Sequence, residues 1–249
     1  ELLRRSRQGL RLLQREKEDV SADRLKEHIE RARALHARVP VIVIHDHEPL
    51  ADDLDKCRAG GIAGKVYLPV LDIKIQPGAM ATGTQREGWA RHAMEEFGGV
   101  FRQIAQSDGR IRVATRAEDF EEARAAGGLA VLLGAEGGKL IEGSLDLLHA
   151  FYRMGLRFIG LTWAYPNQIS TMDDPVKPGL TAFGRELIPA MNDLGMIIDN
   201  GHAGARTFYD TIELSRQPIV MSHAGAAGAV RASRHPDWGT GPGCFADDT

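Results

Sequence analysis

The sequence predicts a TIM-type (β/α)8 barrel that is incomplete in this chain, with six recognisable strands. Three observations predict it. Apolar strand-like runs alternate with helical segments, which argues for a parallel sheet with both faces covered. Histidine or glutamate stands at the carboxyl end of several different runs. Many strand ends meeting at one site is barrel behaviour, whereas an open doubly wound sheet gathers its site at one switch point. No G-x-G-x-x-G or G-x-x-x-x-G-K follows a strand, so nucleotide binding has no support.

The elements follow in order. Residues 1–37 read as an N-terminal helical segment, broken near residues 19–22, with Leu3, Leu10 and Leu13 and then Leu25, Ile29 and Leu35 at helical spacing. Gly9 weakens the first stretch. Residues 38–249 are assigned to the barrel. VIVI at 41–44 is branched and continuous, the pattern of a buried parallel strand. DDLDKCRAGG gives a short helix ending near Gly60, and IAGKVYLPVL a second strand. Residues 84–106 form a long helix. TRAEDFEEARAAGG opens on a capping box, Thr115 with Glu118, and ends at glycine. LAVLLGAEGG is the third strand. SLDLLHAFYRMG is a helix with Ser144 as N-cap and Gly155 just past its end. LRFIGLTW is the fourth strand. TAFGRELIPAMNDLG is a helix that Pro189 should kink. MIIDNGH is the fifth strand, TFYDTIELSRQP a helix, and PIVMSH the sixth strand. An eight-stranded barrel needs two more. Only 26 residues follow His223, rich in Gly, Pro and Asp, and a βα unit needs roughly thirty. We expect further sequence to supply the rest, because an exposed parallel edge beside a metal site is costly.

Composition narrows the function classes. The chain has 249 residues, 43% hydrophobic and 26% charged, the balance of a soluble globular protein and a length that one barrel domain fills. The net charge is -3, with acids and bases mixed throughout, so there is no nucleic-acid footprint. The longest apolar runs are strand-sized, so no membrane span is expected. The opening ELLRRSRQGLRLLQREKED is charged and lacks the apolar core of a signal peptide. Cys57 and Cys244 make neither a disulfide framework nor a zinc motif, and the default setting is cytoplasmic. The helix-rich N-terminus can wrap the barrel or meet a second subunit, so a homo-oligomer stays open.

Five residues carry the chemical case. His45 and His47 are two apart, and in a strand i and i+2 point to the same side. Both imidazoles then enter one cavity, while Asp46 points away into a structural role. Glu136 follows LLGA, His202 follows IIDNG, and His223 follows VMS. Four imidazoles and a carboxylate suit Zn²⁺, with Co²⁺ or Mn²⁺ as alternatives. Five ligands exceed what one catalytic zinc takes, so two ions are expected, with Glu136 as the bridge. A water or hydroxide between them would be a strong nucleophile at neutral pH. His28, His36, His92 and His149 lie on helical segments and are read as non-catalytic. Trp163 and Tyr165, beyond the fourth strand, are candidates to line a substrate pocket, as is Asn167 for a polar contact.

At these residues the chain resembles the zinc-dependent membrane dipeptidase (renal dipeptidase-like) family, within the amidohydrolase-type barrels. HDHEP resembles the family's His-x-Asp pair with its following proline, and AEGG with Glu136 its bridging glutamate. FYRMGLRFIGLTW is similar to the segment around strand four. GLTAFGRELIPAMNDLGMIIDNGH, ending at His202, is the closest match, and PIVMSHAGA carries the next ligand, His223. ASRHPD resembles the stretch holding the arginine that meets the substrate carboxylate, which implies that role for Arg234. The resemblance covers about residues 38–237. His47 stands where the family has aspartate, and Trp163 where it has a histidine thought to hold substrate near the oxyanion. An indole donates one hydrogen bond and does not titrate. The family's late aspartate, implicated in proton transfer, has no counterpart on a recognisable strand.

The resemblance implies a binuclear zinc hydrolase of small amides, most like a dipeptidase, with a metal-bridging hydroxide as nucleophile. Two alternatives remain. The His47 and Trp163 departures can mark hydrolysis of lactones, N-acyl amino acids or other non-peptide amides. The missing proton donor can mark a barrel that has kept its ligands but lost turnover and serves as a binding module.

Overall fold

The computed structural model describes residues 22–72, 74–76, 79–80, 88–163, 165–172, 174–226 and 244–245. The chain divides into two compact units, residues 1–39 with 226–249, and residues 40–225. In the first, helix α1 runs Ala22–Arg38, with Asp23 in its first turn and His36 and Arg38 in its last. That arrangement of charge suits the helix dipole. Leu25, Ile29 and Leu35 are exposed on it.

The second unit is built on a six-stranded parallel sheet. Its strands are β1 (Val41–Asp46), β2 (Ile62–Leu71), β5 (Ile111–Val113), β6 (Leu129–Glu136), β7 (Leu156–Gly160) and β8 (Ile197–Asp199). The order is β1-β2-β6-β7-β8, with β5 paired to the first residues of β6. Two short strands, β3 (Lys74–Gln76) and β4 (Ala79–Met80), form a hairpin after β2. The helices are α2 (Leu50–Ala59), α3 (Trp89–Ala105), α4 (Glu118–Ala125), α5 (Leu145–Arg153), α6 (Ala182–Leu194) and α7 (Ala205–Leu214). The sheet curls into a parallel half-barrel, the fold class expected.

Alternation along the strands divides the core. Tyr67, Val70, Val131, Leu133, Ala135, Ile159 and Ile198 face the main helical layer, with Leu50, Phe97, Leu148, Ile188 and Met191 packed on them. Val66, Leu68 and Phe158, joined by Leu132, Ile197 and Val220, line the concave face. Leu132 also joins Phe120, Ala123 and Ala130, so α4 closes part of the concave face. Gly64 makes this possible, since a side chain there would run into the Phe120 ring.

Several expectations need correction. The strand Ile111–Val113 was not foreseen; three residues are too few to show a period. PIVMSH contributes ladder hydrogen bonds only at Val220, which bridges Asp199 and exchanges bonds with Ile198 and Asn200. The long helix begins at Trp89, and residues 84–87 lie outside the described residues. The Thr115–Glu118 capping box does not form. The helix starts at Glu118 with no side-chain cap. Asp119 instead accepts from the backbone N–H groups of Thr115 and Arg116 at 2.7 and 3.1 Å. Ser144 caps α5 by accepting from Leu147 N–H, and Gly155 follows its end at φ 107°. Helix α6 stays continuous through Pro189.

Candidate metal centre

The carboxyl ends of β1, β6 and β8 and the turn after Val220 bring His45, His47, Glu136, His202 and His223 together. A register shift on β1 makes this possible. Val43 pairs with Lys65 and Asp46 with Tyr67, three steps on β1 against two on β2. That is a bulge. Strict alternation from Val43 would turn His45 and His47 toward the Lys65 face and Asp46 into the cavity. The extra residue reverses this, and Asp46 meets Lys65 instead.

The donor atoms lie close together. His45 Nε2 is 3.0 Å from His47 Nε2, and His202 Nε2 is 2.8 Å from His223 Nε2. Glu136 Oε1 lies 2.8 Å from His202, 3.3 Å from His223 and 3.4 Å from His45, while Oε2 lies 3.3 Å from His47. The glutamate side chain is 5% exposed and the His47 ring 37%, so the carboxylate forms the floor and His47 the rim.

The outer nitrogens fix what the inner ones offer. His47 Nδ1 donates to the Leu68 carbonyl at 2.9 Å. Ser222 Oγ lies 2.7 Å from Asp199 Oδ2, 3.1 Å from His45 Nδ1 and 2.8 Å from His223 Nδ1. A hydroxyl has one hydrogen and two lone pairs, and an ionised carboxylate only accepts. Ser222 therefore donates to Asp199 and accepts from both rings, so both carry hydrogen on Nδ1. Asp199 Oδ1 also accepts from Gly201 and Ser222 N–H at 3.0 and 2.9 Å. Three rings thus aim Nε2 lone pairs inward.

Electrostatics agrees for His45 and His223, whereas the proton that His47 shares with Glu136 must leave before that ring can ligate. Burial, then neighbouring His223, lowers the His45 pKa, and burial, then His202, lowers that of His223. A hydrogen bond with Glu136 raises that of His47. Burial pushes the Glu136 carboxyl up, but hydrogen bonds from His202 and His47 outweigh it and hold it well below the usual range.

These features fit a divalent cation. Two Nε2 lone pairs 3.0 Å apart repel unless a proton or cation lies between them. Nitrogen and carboxylate oxygen donors bind zinc at about 2.0–2.2 Å. His45, Glu136 and His223 form a compact ligand triad by themselves, with donor atoms within 4.8 Å of one another.

The other candidates are placed as follows. The Trp163 ring lies 6.0 Å from that of His202. Tyr165 is 44% exposed. Asn167 is committed to its own loop: its amide donates to the Leu161 carbonyl at 2.8 Å and toward Asp72 at 3.5 Å, and its oxygen accepts from Ile169 and Ser170 N–H. The side-chain amide expected to make a polar contact with substrate is thus engaged within the protein. Arg234 lies outside the described residues. His92 is buried on α3, 3.9 Å from Glu96. Four buried or bracing residues were not singled out from sequence: Lys65, Asp72, Asp199 and Ser222. Lys65 had a signal, a charge inside the apolar run IAGKVYLPVL. Asp199 and Ser222 lie close in sequence to His202 and His223, but nothing in their spacing gives their bonds.

A curled parallel half-barrel with a histidine–carboxylate cluster at its strand ends has the build of the metal-dependent barrel proteins. Within that class, the model of the membrane dipeptidase family (peptidase family M19) matches residues 19–236. The chain belongs to this family. It is 33% identical over 196 residues to an Acinetobacter calcoaceticus protein described only as an uncharacterized protein in the PQQ-III 3' region, covering 72% of this chain and 62% of that one. It is 30% identical over 181 residues to dipeptidase 3 of Mus musculus, covering 70% and 34%. Among solved structures it resembles the probable dipeptidase PvdM of Pseudomonas aeruginosa, with a TM-score of 0.72, 19% identity and coverage of 90% and 59%. It also resembles a metallo peptidase of Rhodobacter sphaeroides liganded with a phosphinate mimic of the dipeptide L-Ala-D-Ala, with a TM-score of 0.65, 23% identity and coverage of 82% and 61%. The chain thus spans 62% of the Acinetobacter relative and 34% of the mouse one.

Proposed function

We propose that the protein is a binuclear metal-dependent hydrolase of small amides, a dipeptidase, with zinc as its metal. The observation that carries this reading is the convergence of four imidazole nitrogens and both Glu136 oxygens within 3.4 Å contacts. His45 and His47 would hold one ion and His202 and His223 the other, with Glu136 shared. A pair of divalent ions supplies Lewis acidity toward the substrate carbonyl and an activated water. The chain's own residues do the rest. Glu136, ionised and nearly buried, offsets the charge of the bound cations. Asp199 and Ser222 hold two rings in the tautomer that ligation needs. The Trp163 indole can donate one hydrogen bond to a substrate oxygen, and Tyr165 offers an exposed ring at the rim. Arg234 clamps the substrate carboxylate as a bidentate donor. In this reading residues 1–37 form an N-terminal helical segment and residues 38–249 the hydrolase domain. No described helix is long and apolar enough to cross a membrane.

The test combines metal analysis with a substrate panel. About two zinc equivalents per chain and cleavage of dipeptides are expected. Cleavage of lactones or N-acyl amino acids in preference to dipeptides would favour the reading in which His47 and Trp163 mark a changed substrate. Zinc uptake without turnover of any of these would favour a binding module, and no uptake after metal addition would sink the metal reading. Unchanged KM for carboxylate-bearing substrates in Arg234→Ala would remove the clamp.

A further inference from the structure

Lys65 is fully buried, and its ammonium meets three acceptors. Asp53 Oδ2 of α2 lies at 2.7 Å, Asp46 Oδ1 of β1 at 3.1 Å and the Glu48 carbonyl at 3.2 Å. Asp46 Oδ1 also accepts from Glu48 N–H at 2.7 Å, which closes the turn after β1.

This cluster sits where the strand breaks its own alternation. The bulge between Val43 and Asp46 moves Asp46 onto the Lys65 face and His45 and His47 onto the other. Asp46 rejoins the ladder opposite Tyr67 as the last residue of β1, so backbone pairing holds the reversed order only up to the strand end. The lysine adds a side-chain hold there. If Asp46 rotated back toward the cavity, a buried ammonium would lose one of its two carboxylate partners, which is costly in a low-dielectric interior. Buried ion pairs in general add little net stability over well-packed apolar groups, and their best-attested use is to fix register. The geometry here has that form.

We propose that Lys65 is a positioning residue for the metal centre: by holding Asp46 and the Glu48 carbonyl on the helix side of β1, it keeps His45 and His47 turned into the site. The proposal rests on the reading of those histidines as ligands.

The test uses Asp46→Ala in the full chain. This variant removes the strand-end anchor and leaves Lys65 paired to Asp53. Zinc affinity, measured by competition with a chromophoric chelator, should fall about 10–100-fold, as for other residues that orient ligands. The visible spectrum of the Co²⁺-loaded variant should change, and the Glu48 amide should exchange faster without metal. Asp46→Asn keeps an acceptor oxygen and should recover much of the affinity. Asp210→Asn is the control. Asp210 is a buried carboxylate paired with Arg185 and Arg206, and its loss should lower the melting temperature without moving affinity or spectrum. Wild-type affinity and spectrum in Asp46→Ala, with binding lost in His45→Ala, would overturn the positioning role alone. No zinc uptake by the wild type, or full uptake by the His45→Ala/His47→Ala double variant, would overturn the ligand reading and the positioning role with it.

Discussion

Two buried lysines flank the metal centre, and they do different things with similar parts. Lys65 on β2 is fully buried and meets two carboxylates, Asp53 and Asp46. Lys139, three residues past Glu136, is 2% exposed, and its ammonium has no carboxylate within salt-bridge distance among the described residues. It reaches the Asp72 backbone carbonyl at 3.3 Å and lies over the Trp89 and Tyr165 rings, 4.7 and 5.7 Å from their centroids. The Asp72 carboxyl instead receives the Lys139 backbone N–H, at 3.0 and 3.2 Å to its two oxygens. The consequence is opposite for the two aspartates. The Lys65 hydrogen bond holds the Asp53 carboxyl below its ordinary value. Burial pushes Asp72 up to about 7. One pair braces the site with charge. The other braces the Gly137–Gly138 turn with backbone hydrogen bonds and keeps its cation on aromatic faces.

The sharpest way to break this contrast is to delete each ammonium in turn. Lys65→Met leaves two carboxylates without their cation and should cost about 3–5 kcal/mol, the usual result of breaking a buried pair. Lys139→Met removes one long hydrogen bond and the ring contacts and should cost about 1–2 kcal/mol. Denaturant unfolding at pH 7 measures both. Equal losses would mean that Lys139 interacts with the Asp72 carboxylate as strongly as Lys65 does with its partners.

The sequence made the converging histidines and Glu136 legible but not their bracing, and the contrast shows why. His45, His47, Glu136, His202 and His223 each follow an apolar run, so strand ends mark them one by one. Period two also gave the right answer for His45 and His47, although the bulge is what turns the pair inward, because both residues move together. Lys65 and Lys139 find their roles through partners 12 to 67 positions away in the chain, such as Asp53, Asp46, Trp89 and Asp72. No local period encodes those pairings. The short strand Ile111–Val113 escaped for a related reason, since its place is set by pairing with β6.

The pH dependence of stability should separate the two aspartates by sign. Asp53 is depressed in the fold, so its contribution is present above the ordinary aspartate value of 3.8 and is lost as pH falls through its folded pKa. Asp72 is raised from 3.8 to about 7, so between those values the folded state holds a proton that the unfolded chain has released. Its contribution is full below the unfolded value and is lost as pH rises toward 7. The slope is no steeper than about 1.4 kcal/mol per pH unit. Asp72→Asn should remove the loss on the neutral side and leave the acid side unchanged. Unfolding midpoints measured from pH 3 to 8 would show this, and an unchanged neutral limb would place the Asp72 proton elsewhere.

The smallest effect tests the turn brace through a single methyl group. Gly137 follows Glu136 at φ 102°, a conformation that disfavours side chains, and a Cβ there would run into the Asp72 carboxyl. Gly127 has φ 67° but open space around the same position. Gly127→Ala should therefore show backbone strain alone, about 1 kcal/mol. Gly137→Ala should add displacement of Asp72, for a total of about 1–3 kcal/mol. It should also weaken zinc binding, because the displaced carboxyl is what holds the turn that begins at Glu136. Gly127→Ala should leave zinc binding as it is. If both variants lost the same stability and bound zinc equally well, the packing of Asp72 against the turn would have no bearing on the glutamate, and the charged brace at Lys65 would be the one that shapes the site.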